Sequence, residues 1–300
     1  MAWRLLLAVP TLWAIYTLTF LMVVTVPGNP FQQADRQMPE SVQRALEARY
    51  NIDNNWNYYW EYLAGALRLD FGPSFQYREW TVTQIIIDAL PVSFALGLTA
   101  IALAVLIGVP VGVISAVRRN SWFDVASLAV VLIGVSLPTF VTGTALLLVF
   151  AIGLAWLPVG GWESLASVPL PALTLSLPFM AYIARLTRLG MLDVLSSDYI
   201  RTAAAKGVAP RDIVWKHALK NAFLPVLSYL GPAIAAAMTG SFVVEKLFNV
   251  PGLGQHFVNS VLNLDRGLIM GTVLVYSALL VFLNLVVDVL YTFVDPRVRL

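Results

Sequence analysis

Residues 91–117 read PVSFALGLTAIALAVLIGVPVGVISAV and include no charged side chain. A helix needs about 20 consecutive apolar residues to cross a bilayer, whereas a strand of an outer-membrane barrel needs only about 10 with alternating polarity. The run from Pro91 to Val117 is long and does not alternate. It therefore predicts a membrane-spanning helix.

The composition of the whole chain agrees with a membrane location. Of its 300 residues, 59% are hydrophobic and 12% are charged, against about 25% charged in globular proteins. A soluble core could not bury so much apolar surface, whereas a bilayer accepts it when the backbone is hydrogen-bonded internally. The formal net charge of +2 does not indicate a nucleic-acid partner. The lack of cysteine excludes disulfides, thiolate metal sites and cysteine nucleophiles.

Six apolar runs predict six transmembrane helices in an all-α polytopic membrane protein. They are Leu5–Val26, Pro91–Val117, Val125–Leu157, Val168–Ala184, Ala222–Val244 and Gly267–Val294. The third run is interrupted at Pro138, where we expect a bend. The first run resembles a signal peptide, but its apolar core is too long and no small-residue cleavage site follows it. We therefore interpret it as a retained helix.

The distribution of Lys and Arg predicts the orientation, because cytoplasmic loops carry an excess of these residues. Here they concentrate before the first run, between the second and third runs, in the segment 185–221 and after the sixth run. Both termini and the segment 185–221 are therefore expected to be cytoplasmic. The segment 27–90 is expected to be extracytoplasmic.

The segment 27–90 has the pattern of a helical insertion. Pro39–Tyr50 and Asn54–Leu69 are expected to form short amphipathic helices, with Asn54 or Asn55 capping the second. Tyr, Trp and Phe residues are frequent from Trp56 onward, and such residues favour membrane interfaces and protein contacts. Two interpretations stay open, a self-packed cap on the lipid headgroups and a surface that also receives an external partner.

The segment 185–221 is expected to form two short helices around a sharp turn. The first runs from Tyr199 to Lys206 and stops at Gly207, and the second starts at Pro210. The alanine-rich face of the first helix could dock closely in a groove of another protein. Alternatively, the basic helices could lie on anionic lipid. Spacing alone does not decide between these two interpretations.

The stretch Asp198-Tyr-Ile-Arg-Thr-Ala-Ala-Ala-Lys-Gly207, followed by His217-Ala-Leu-Lys-Asn-Ala-Phe-Leu-Pro225, resembles the cytoplasmic-loop motif of permease subunits from ATP-binding-cassette (ABC) importers. The form is typical of the peptide-uptake family. Arg201 stands where many importers of other substrates carry glutamate, and the interval from Gly207 to Pro225 is longer; both features are similar to peptide-family members. Further stretches that resemble this family are Val26–Pro30, Leu69–Ser74, Val244–Gly254 and Val287–Arg297. Their order is similar to that of the first permease subunit of an oligopeptide importer.

This resemblance implies a type I ABC importer permease fold with an external helical insertion and a cytoplasmic coupling-helix loop, in a bacterial inner-membrane protein. It implies a subunit that forms half of an oligopeptide pathway and works by alternating access. The implied partners are a second homologous permease subunit, two cytoplasmic ATPase subunits and an extracytoplasmic peptide-binding protein. The chain has no G-x-x-x-x-G-K-[ST] phosphate loop. We therefore expect no cofactor and no catalytic residue here, with ATP and Mg bound by the ATPase subunits.

Two sets of residues are candidates for function. Those expected to dock onto an ATPase subunit are Ala203, Ala204, Lys206, Gly207 and Arg211. Those expected to line the pathway wall are small residues at four-residue spacings, namely Gly231, Ala235, Ala236 and Gly240. Plain helix packing is the alternative role for the second set.

The remaining ionisable residues of interest receive structural interpretations. Asp288 is the acid deepest within an apolar run. We expect it to pair near the inner interface, and proton coupling or substrate contact is the alternative role. Arg185 and Arg188 are interpreted as topology anchors at the end of the fourth run. The two histidines, His217 and His256, have no second ligand at a useful spacing, so no metal site is predicted.

Other functions were weighed against an oligopeptide permease. Related importers carry dipeptides, nickel chelates or glycosides, and the sequence motifs do not exclude them. An ion-coupled secondary transporter would need coupling groups near the midplane on inverted repeats, which are not evident. An intramembrane hydrolase would need a nucleophile with a nearby base or a metal cluster, which the sequence also lacks.

Overall fold

The computed structural model describes residues 2–27, 54–77, 79–239 and 241–294. Within these ranges the secondary structure is helical, apart from one antiparallel bridge between Pro73 and Thr81. Five of the described helices are long and apolar enough to cross a membrane, or six if a helix pair bent by 111° counts as one span. The described residues form two compact units, one of residues up to Ser93 with Pro251–Leu285 and the other of Phe94–Val250 with residues from Val286 on.

The helices follow one another with short connections. In chain order they are α1 (Ala2–Thr25), α2 (Asn55–Ala66), α3 (Val82–Val117), α4 (Trp122–Ser136), α5 (Thr139–Leu146), α6 (Pro169–Leu195), α7 (Asp198–Ala205), α8 (Pro210–Asp212), α9 (Leu219–Ala222), α10 (Leu224–Thr239), α11 (Phe242–Leu247), α12 (Leu253–Leu262) and α13 (Arg266–Val294). π-helical turns over Leu147–Gly153 and Ile213–Ala218 continue α5 and α8, and a 3₁₀ turn over Leu165–Ser167 precedes α6.

The first unit has an aromatic core in which α1 packs against α2. Tyr16 and Phe20 of α1 and Tyr58, Tyr59 and Tyr62 of α2 are all buried. The Tyr16 hydroxyl donates to the Tyr59 carbonyl, and the Tyr62 hydroxyl donates to the Gly267 carbonyl over 2.7 Å. Burial raises the pKa of Tyr62 well above its ordinary value. Part of the aromatic cluster is therefore self-packed, whereas Trp56 and Trp60 are exposed, so both interpretations of the insertion stay open.

The second unit is built on a close contact between α3 and α6. A Cβ atom at Gly112 would lie 2.5 Å from the carbonyl oxygen of Ala184, and one at Gly108 would lie 2.8 Å from that of Met180. Two glycines one turn apart therefore let the helix backbones approach, as small-xxx-small patterns do in membranes. This pair was not among the small residues singled out from the sequence.

The start of the second span and the end of the fourth differ most from the prediction. The second span begins at Val82 rather than Pro91, because Thr81 and Gln84 form a capping box: Oε1 of Gln84 accepts from the Thr81 N–H over 2.9 Å, and the Thr81 hydroxyl accepts from the Gln84 N–H over 3.2 Å. The fourth span continues past Ala184 to Leu195, so residues 185–195 are helical rather than part of a loop.

The third predicted span is divided. The expected break at Pro138 is confirmed, and the 111° angle there separates α4 from the helix Thr139–Gly153. The fifth predicted span is confirmed over Leu224–Leu247, which contains α10 and α11. In the insertion, the predicted helix after Asn54 is confirmed as α2, and the Asn54 side chain accepts from the N–H groups of Trp56 and Asn57. The other predicted helix, Pro39–Tyr50, lies outside the described residues.

Candidate functional site

The segment 198–212 forms the predicted pair of short helices around a glycine turn. Helix α7 ends in a Schellman motif, in which the Val208 N–H donates to the Ala203 carbonyl over 3.2 Å and the Gly207 N–H donates to the Ala204 carbonyl over 3.0 Å. Gly207 has a φ of 81°, a left-handed conformation that glycine adopts without the steric cost of a side chain. The role assigned to Gly207 as a helix terminator is confirmed.

The second helix of the segment starts at Pro210, as predicted, and its first turn carries Asp212. Lys216 lies one helical turn further on, with its Nζ 2.9 Å from Oδ1 of Asp212. The hydrogen bond and charge of Lys216 lower the pKa of the Asp212 carboxyl. This pair is exposed and stabilises the helix locally rather than anchoring the segment.

Two buried isoleucines attach the segment to the second unit. Ile200 of α7 and Ile213 after α8 belong to one hydrophobic cluster, which also includes Met191 of α6 and Ala222 of α9. The Tyr199 hydroxyl accepts from Nδ2 of Asn221 over 2.8 Å. Because the cluster also includes residues of α3 and α10, a force applied to the segment would act directly on the packed helices of this unit.

The residues predicted to dock lie on the outer side of this attachment. Ala204, Lys206, Gly207 and Arg211 are exposed, and Ala203 is half-buried. A Cβ atom at Gly207 would meet no atom within 4 Å. Four of the five residues are therefore accessible to solvent, and their docking onto an ATPase subunit stays a prediction.

A buried ion pair joins α6 to the start of α4. Nε and Nη2 of Arg188 donate to Oδ1 and Oδ2 of Asp124 over 2.7 and 2.9 Å. The Ser115 hydroxyl donates to Oδ1 of Asp124 as well, and the Asn120 N–H donates to Oδ2 over 2.9 Å. The interpretation of Arg188 as a simple topology anchor is therefore incomplete. Sequence reasoning missed Asp124, although its position three residues after Ser121 suits the first turn of a capped helix.

The residues of the candidate pathway wall differ in exposure. Gly231 and Ala235 of α10 are buried, whereas Ala236 is exposed and Gly240 lies outside the described residues. The burial of Gly231 and Ala235 agrees with the alternative role in helix packing. A role of these residues in lining the pathway stays a prediction.

Among the other ionisable residues, the structure describes the side chains of Arg185 and Glu245 but not that of Asp288. The side chain of Asp288 lies outside the described residues, so its predicted pairing stays a prediction. Arg185 is exposed. Glu245, which sequence reasoning passed over, is completely buried in α11 and accepts a hydrogen bond from the Ser241 hydroxyl. A buried polar side chain needs such a partner, because its lost hydration is otherwise uncompensated.

The helical arrangement is similar to that of a solved importer permease. A chain from inward-facing structures of the MetNI methionine ABC transporter superimposes with a TM-score of 0.58 at 21% identity, over 70% of this chain and 96% of that one. A second crystal form of the same transporter gives a TM-score of 0.53. The fold is therefore that of a type I ABC importer permease.

Comparison with the sequences of known proteins identifies the family of the chain. Residues 108–300 match the family described as "Binding-protein-dependent transport system inner membrane component". The oligopeptide transport system permease protein OppB of Salmonella typhimurium is 44% identical over 299 residues, 99% of this chain and 97% of that protein. The dipeptide transport system permease protein DppB of Bacillus subtilis is 43% identical over 291 residues, 97% of this chain and 94% of that protein. The chain belongs to the binding-protein-dependent transport system inner membrane component family and is a permease subunit of an ABC importer.

Proposed function

We propose that this subunit imports oligopeptides across a bacterial inner membrane by forming half of an alternating-access pathway. The observation that carries the proposal is the near-complete match to an oligopeptide permease subunit, with 44% identity over 99% of the chain. The other half of the pathway is a second homologous permease. An extracytoplasmic binding protein delivers the peptide, and two cytoplasmic ATPases supply the work.

Both termini lie in the cytoplasm in this proposal, together with the segment 198–212. The support is the excess of Lys and Arg on that side. The insertion that contains α2 then lies on the opposite side, where the peptide arrives.

The segment 198–212 is proposed to sit in a cleft of one ATPase subunit. Its outer turn is exposed, whereas Ile200 and Ile213 bind it into the core of the second unit. ATP binding draws the ATPase pair together, and the docked segment carries that motion into α6 and α10. The chain itself holds no nucleotide in this scheme, since its sequence lacks the phosphate-binding loop.

The docking proposal is tested with two substitutions at Gly207 in the complete importer, reconstituted in vesicles. Gly207→Trp places a large side chain in the open space beside the turn, so we expect peptide-stimulated ATP hydrolysis to be lost. Gly207→Asn is the matched control, because asparagine tolerates a positive φ and adds little bulk. Unchanged stimulated hydrolysis with Gly207→Trp would contradict the docking assignment.

The substrate and energy source are tested by uptake into the same vesicles. Import of a labelled oligopeptide is expected to require ATP and the binding protein and to persist when ion gradients are dissipated. Uptake that stops with the ion gradient but continues without ATP would instead indicate a secondary transporter. Dipeptides are the second candidate substrate, because a dipeptide permease is 43% identical. A preference of the companion binding protein for dipeptides over longer peptides would favour them.

A further inference from the structure

A groove with a floor of small residues runs along the second unit between α3, α4 and α6. Its volume is about 300 Å³, and Gly108, Gly134, Ala181 and Ala184 are among its lining residues. The lining includes one hydroxyl, that of Ser127, which is already engaged because it donates to the Asp124 carbonyl over 2.9 Å. The groove is therefore suited to a purely apolar ligand.

Two arginines precede one of the lining residues of this groove in the chain. Trp122, the first residue of α4, lines the groove and has 80% of its surface exposed. Arg118 and Arg119 are exposed in the turn directly before it. Within the described residues neither arginine is paired with a carboxylate, and the acid that follows them, Asp124, is already held by Arg188.

These features together identify one ligand chemistry. An apolar chain fits the small-residue groove, a tryptophan marks the level of the membrane interface, and free guanidinium groups beside it attract a phosphate. The geometry points to a binding site for an anionic phospholipid, with an acyl chain in the groove and the headgroup at Arg118 and Arg119. This inference rests on the orientation proposed above, which puts the arginines at the cytoplasmic leaflet, and does not depend on the substrate.

A helix of another subunit fits this groove less well. An apolar helix packed there would leave Arg118 and Arg119 without an anionic partner at the membrane interface. An acyl chain with an anionic headgroup fills the apolar groove and supplies that partner.

The headgroup contact is tested by native mass spectrometry of the complete importer, purified with equal amounts of phosphatidylglycerol and phosphatidylcholine. We expect the wild type to retain phosphatidylglycerol in excess. Each Lys or Arg near an anionic surface raises the affinity for anionic lipid about fivefold. The double substitution Arg118→Gln with Arg119→Gln should therefore reduce the preference for phosphatidylglycerol roughly 30-fold. The control variant, Lys216→Gln with Lys220→Gln, removes two exposed cations elsewhere and should leave the preference unchanged.

The acyl-chain contact is tested with a matched pair of substitutions on α4. Ala126 lines the groove, whereas Ala129 is exposed on the same helix and does not. Ala126→Phe is expected to fill the groove and abolish retention of both lipids, and Ala129→Phe to retain them. A photoreactive side chain placed at position 126 in the otherwise unchanged importer should be cross-linked to phospholipid, which gives a second measurement if Ala126→Phe does not fold.

Three results would overturn the inference. The first is a wild-type importer that retains no more phosphatidylglycerol than phosphatidylcholine. The second is equal lipid retention by Ala126→Phe and Ala129→Phe. The third is a cross-link from position 126 to the partner permease instead of to lipid, which would make the groove a subunit interface. None of these results bears on peptide import, so a failure here is distinct from a failure of the proposed function.

Discussion

The Ser74 hydroxyl donates to Oδ2 of Asp265 over 2.5 Å, although 191 residues separate the two along the chain. The same oxygen accepts the N–H groups of Phe75 and Gln76 over 3.0 and 3.1 Å. The other oxygen accepts the N–H of Leu268 over 3.1 Å. Asp265 is completely buried, so one carboxylate caps the last spanning helix and fixes the chain that follows α2.

Replacing the Asp265 carboxylate should weaken both the cap of α13 and the attachment of the chain around Ser74. Asp265→Asn keeps the shape but removes the charge and turns an amide NH₂ toward groups that are themselves donors. We expect a loss of about 2–4 kcal/mol in the free energy of unfolding, from a charged hydrogen-bond acceptor and a helix cap. Chemical unfolding of the detergent-solubilised protein measures the loss, and limited proteolysis within 69–77 should become faster.

Asp70, which lies a few residues before Ser74, offers a control for this experiment. Asp70 is exposed and its carboxylate accepts from the Gly72 N–H over 3.0 Å. Asp70→Asn should change the unfolding free energy much less than Asp265→Asn. Equal effects of the two substitutions would contradict the role assigned to Asp265.

The bidentate pair between Arg188 and Asp124 should be important for the second unit. Arg188→Gln leaves the Asp124 carboxylate, whose side chain is only 3% exposed, without its cation. Breaking a fully buried pair costs about 3–5 kcal/mol. Because the Arg188 side chain is 16% exposed, chemical unfolding should show a smaller loss, of about 1–3 kcal/mol. The further change Asp124→Asn in the same chain should recover part of it, because no uncompensated charge is then left buried.

An exposed ion pair of the same protein provides the comparison. Nη1 of Arg201 lies 3.6 Å from Oδ1 of Asp198, and both side chains are largely exposed. Arg201→Gln should therefore leave the unfolding transition unchanged, because exposed pairs contribute little. If Arg188→Gln behaves like Arg201→Gln, the buried pair does not stabilise the unit.

The sequence predicted the spanning helices better than their ends. Long apolar runs are detectable because the bilayer selects for length and composition, with no dependence on tertiary contacts. Hydropathy placed the start of α3 at Pro91 because the charged Asp88 interrupts the apolar run, whereas the capping box of Thr81 and Gln84 starts the helix earlier. It ended α6 at Ala184 because Arg185 and Arg188 follow, whereas the helix continues and Arg188 pairs with Asp124.

In the candidate site, too, local features could be predicted from the sequence, whereas contacts between distant residues could not. Gly207 could be placed because a helix that stops at glycine leaves its signal within a few residues. The pairs Asp124–Arg188 and Ser74–Asp265 join residues 64 and 191 positions apart. No spacing rule covers such distances, so these contacts became visible only in the folded chain.

The close approach of α3 to α6 makes Gly112 sensitive to the smallest side chain. In Gly112→Ala the new Cβ would lie 2.5 Å from the Ala184 carbonyl oxygen and 2.6 Å from Cβ of Thr187. Backbone atoms cannot move aside without separating the helices, so we expect a loss of about 1–3 kcal/mol, measured by chemical unfolding.

Gly134 of α4 is the matched control for Gly112. A Cβ atom there would lie 3.3 Å from Cβ of Ala181, a contact that a small shift relieves. Alanine also favours a helix over glycine by about 1 kcal/mol. Gly134→Ala should therefore be neutral or slightly stabilising, and a loss equal to that of Gly112→Ala would argue against close packing as the cause.

His256 of α12 should make the stability of the first unit depend on pH. Its ring packs edge-on against Tyr77, with centroids 5.8 Å apart, and its buried Nδ1 has no hydrogen-bond partner among the described residues. Burial lowers the pKa of His256, so the folded state favours the neutral ring. The unfolded chain, with a histidine pKa of about 6.5, binds the proton more readily than the folded chain does. Acidification therefore lowers the free energy of unfolding. The contribution of His256 to the free energy of unfolding is thus constant above about pH 7.5, decreases below about pH 6.5 and levels off below the folded pKa.

His256→Phe keeps the contact with Tyr77 but cannot be protonated, so the unfolding temperature of the wild type should fall relative to this variant between pH 7.5 and 5. The same comparison with His217→Phe, at an exposed position, controls for the removal of a histidine. A difference between wild type and His256→Phe that stays constant with pH, or that favours the wild type in acid, would show that the neutral ring is not what the fold selects.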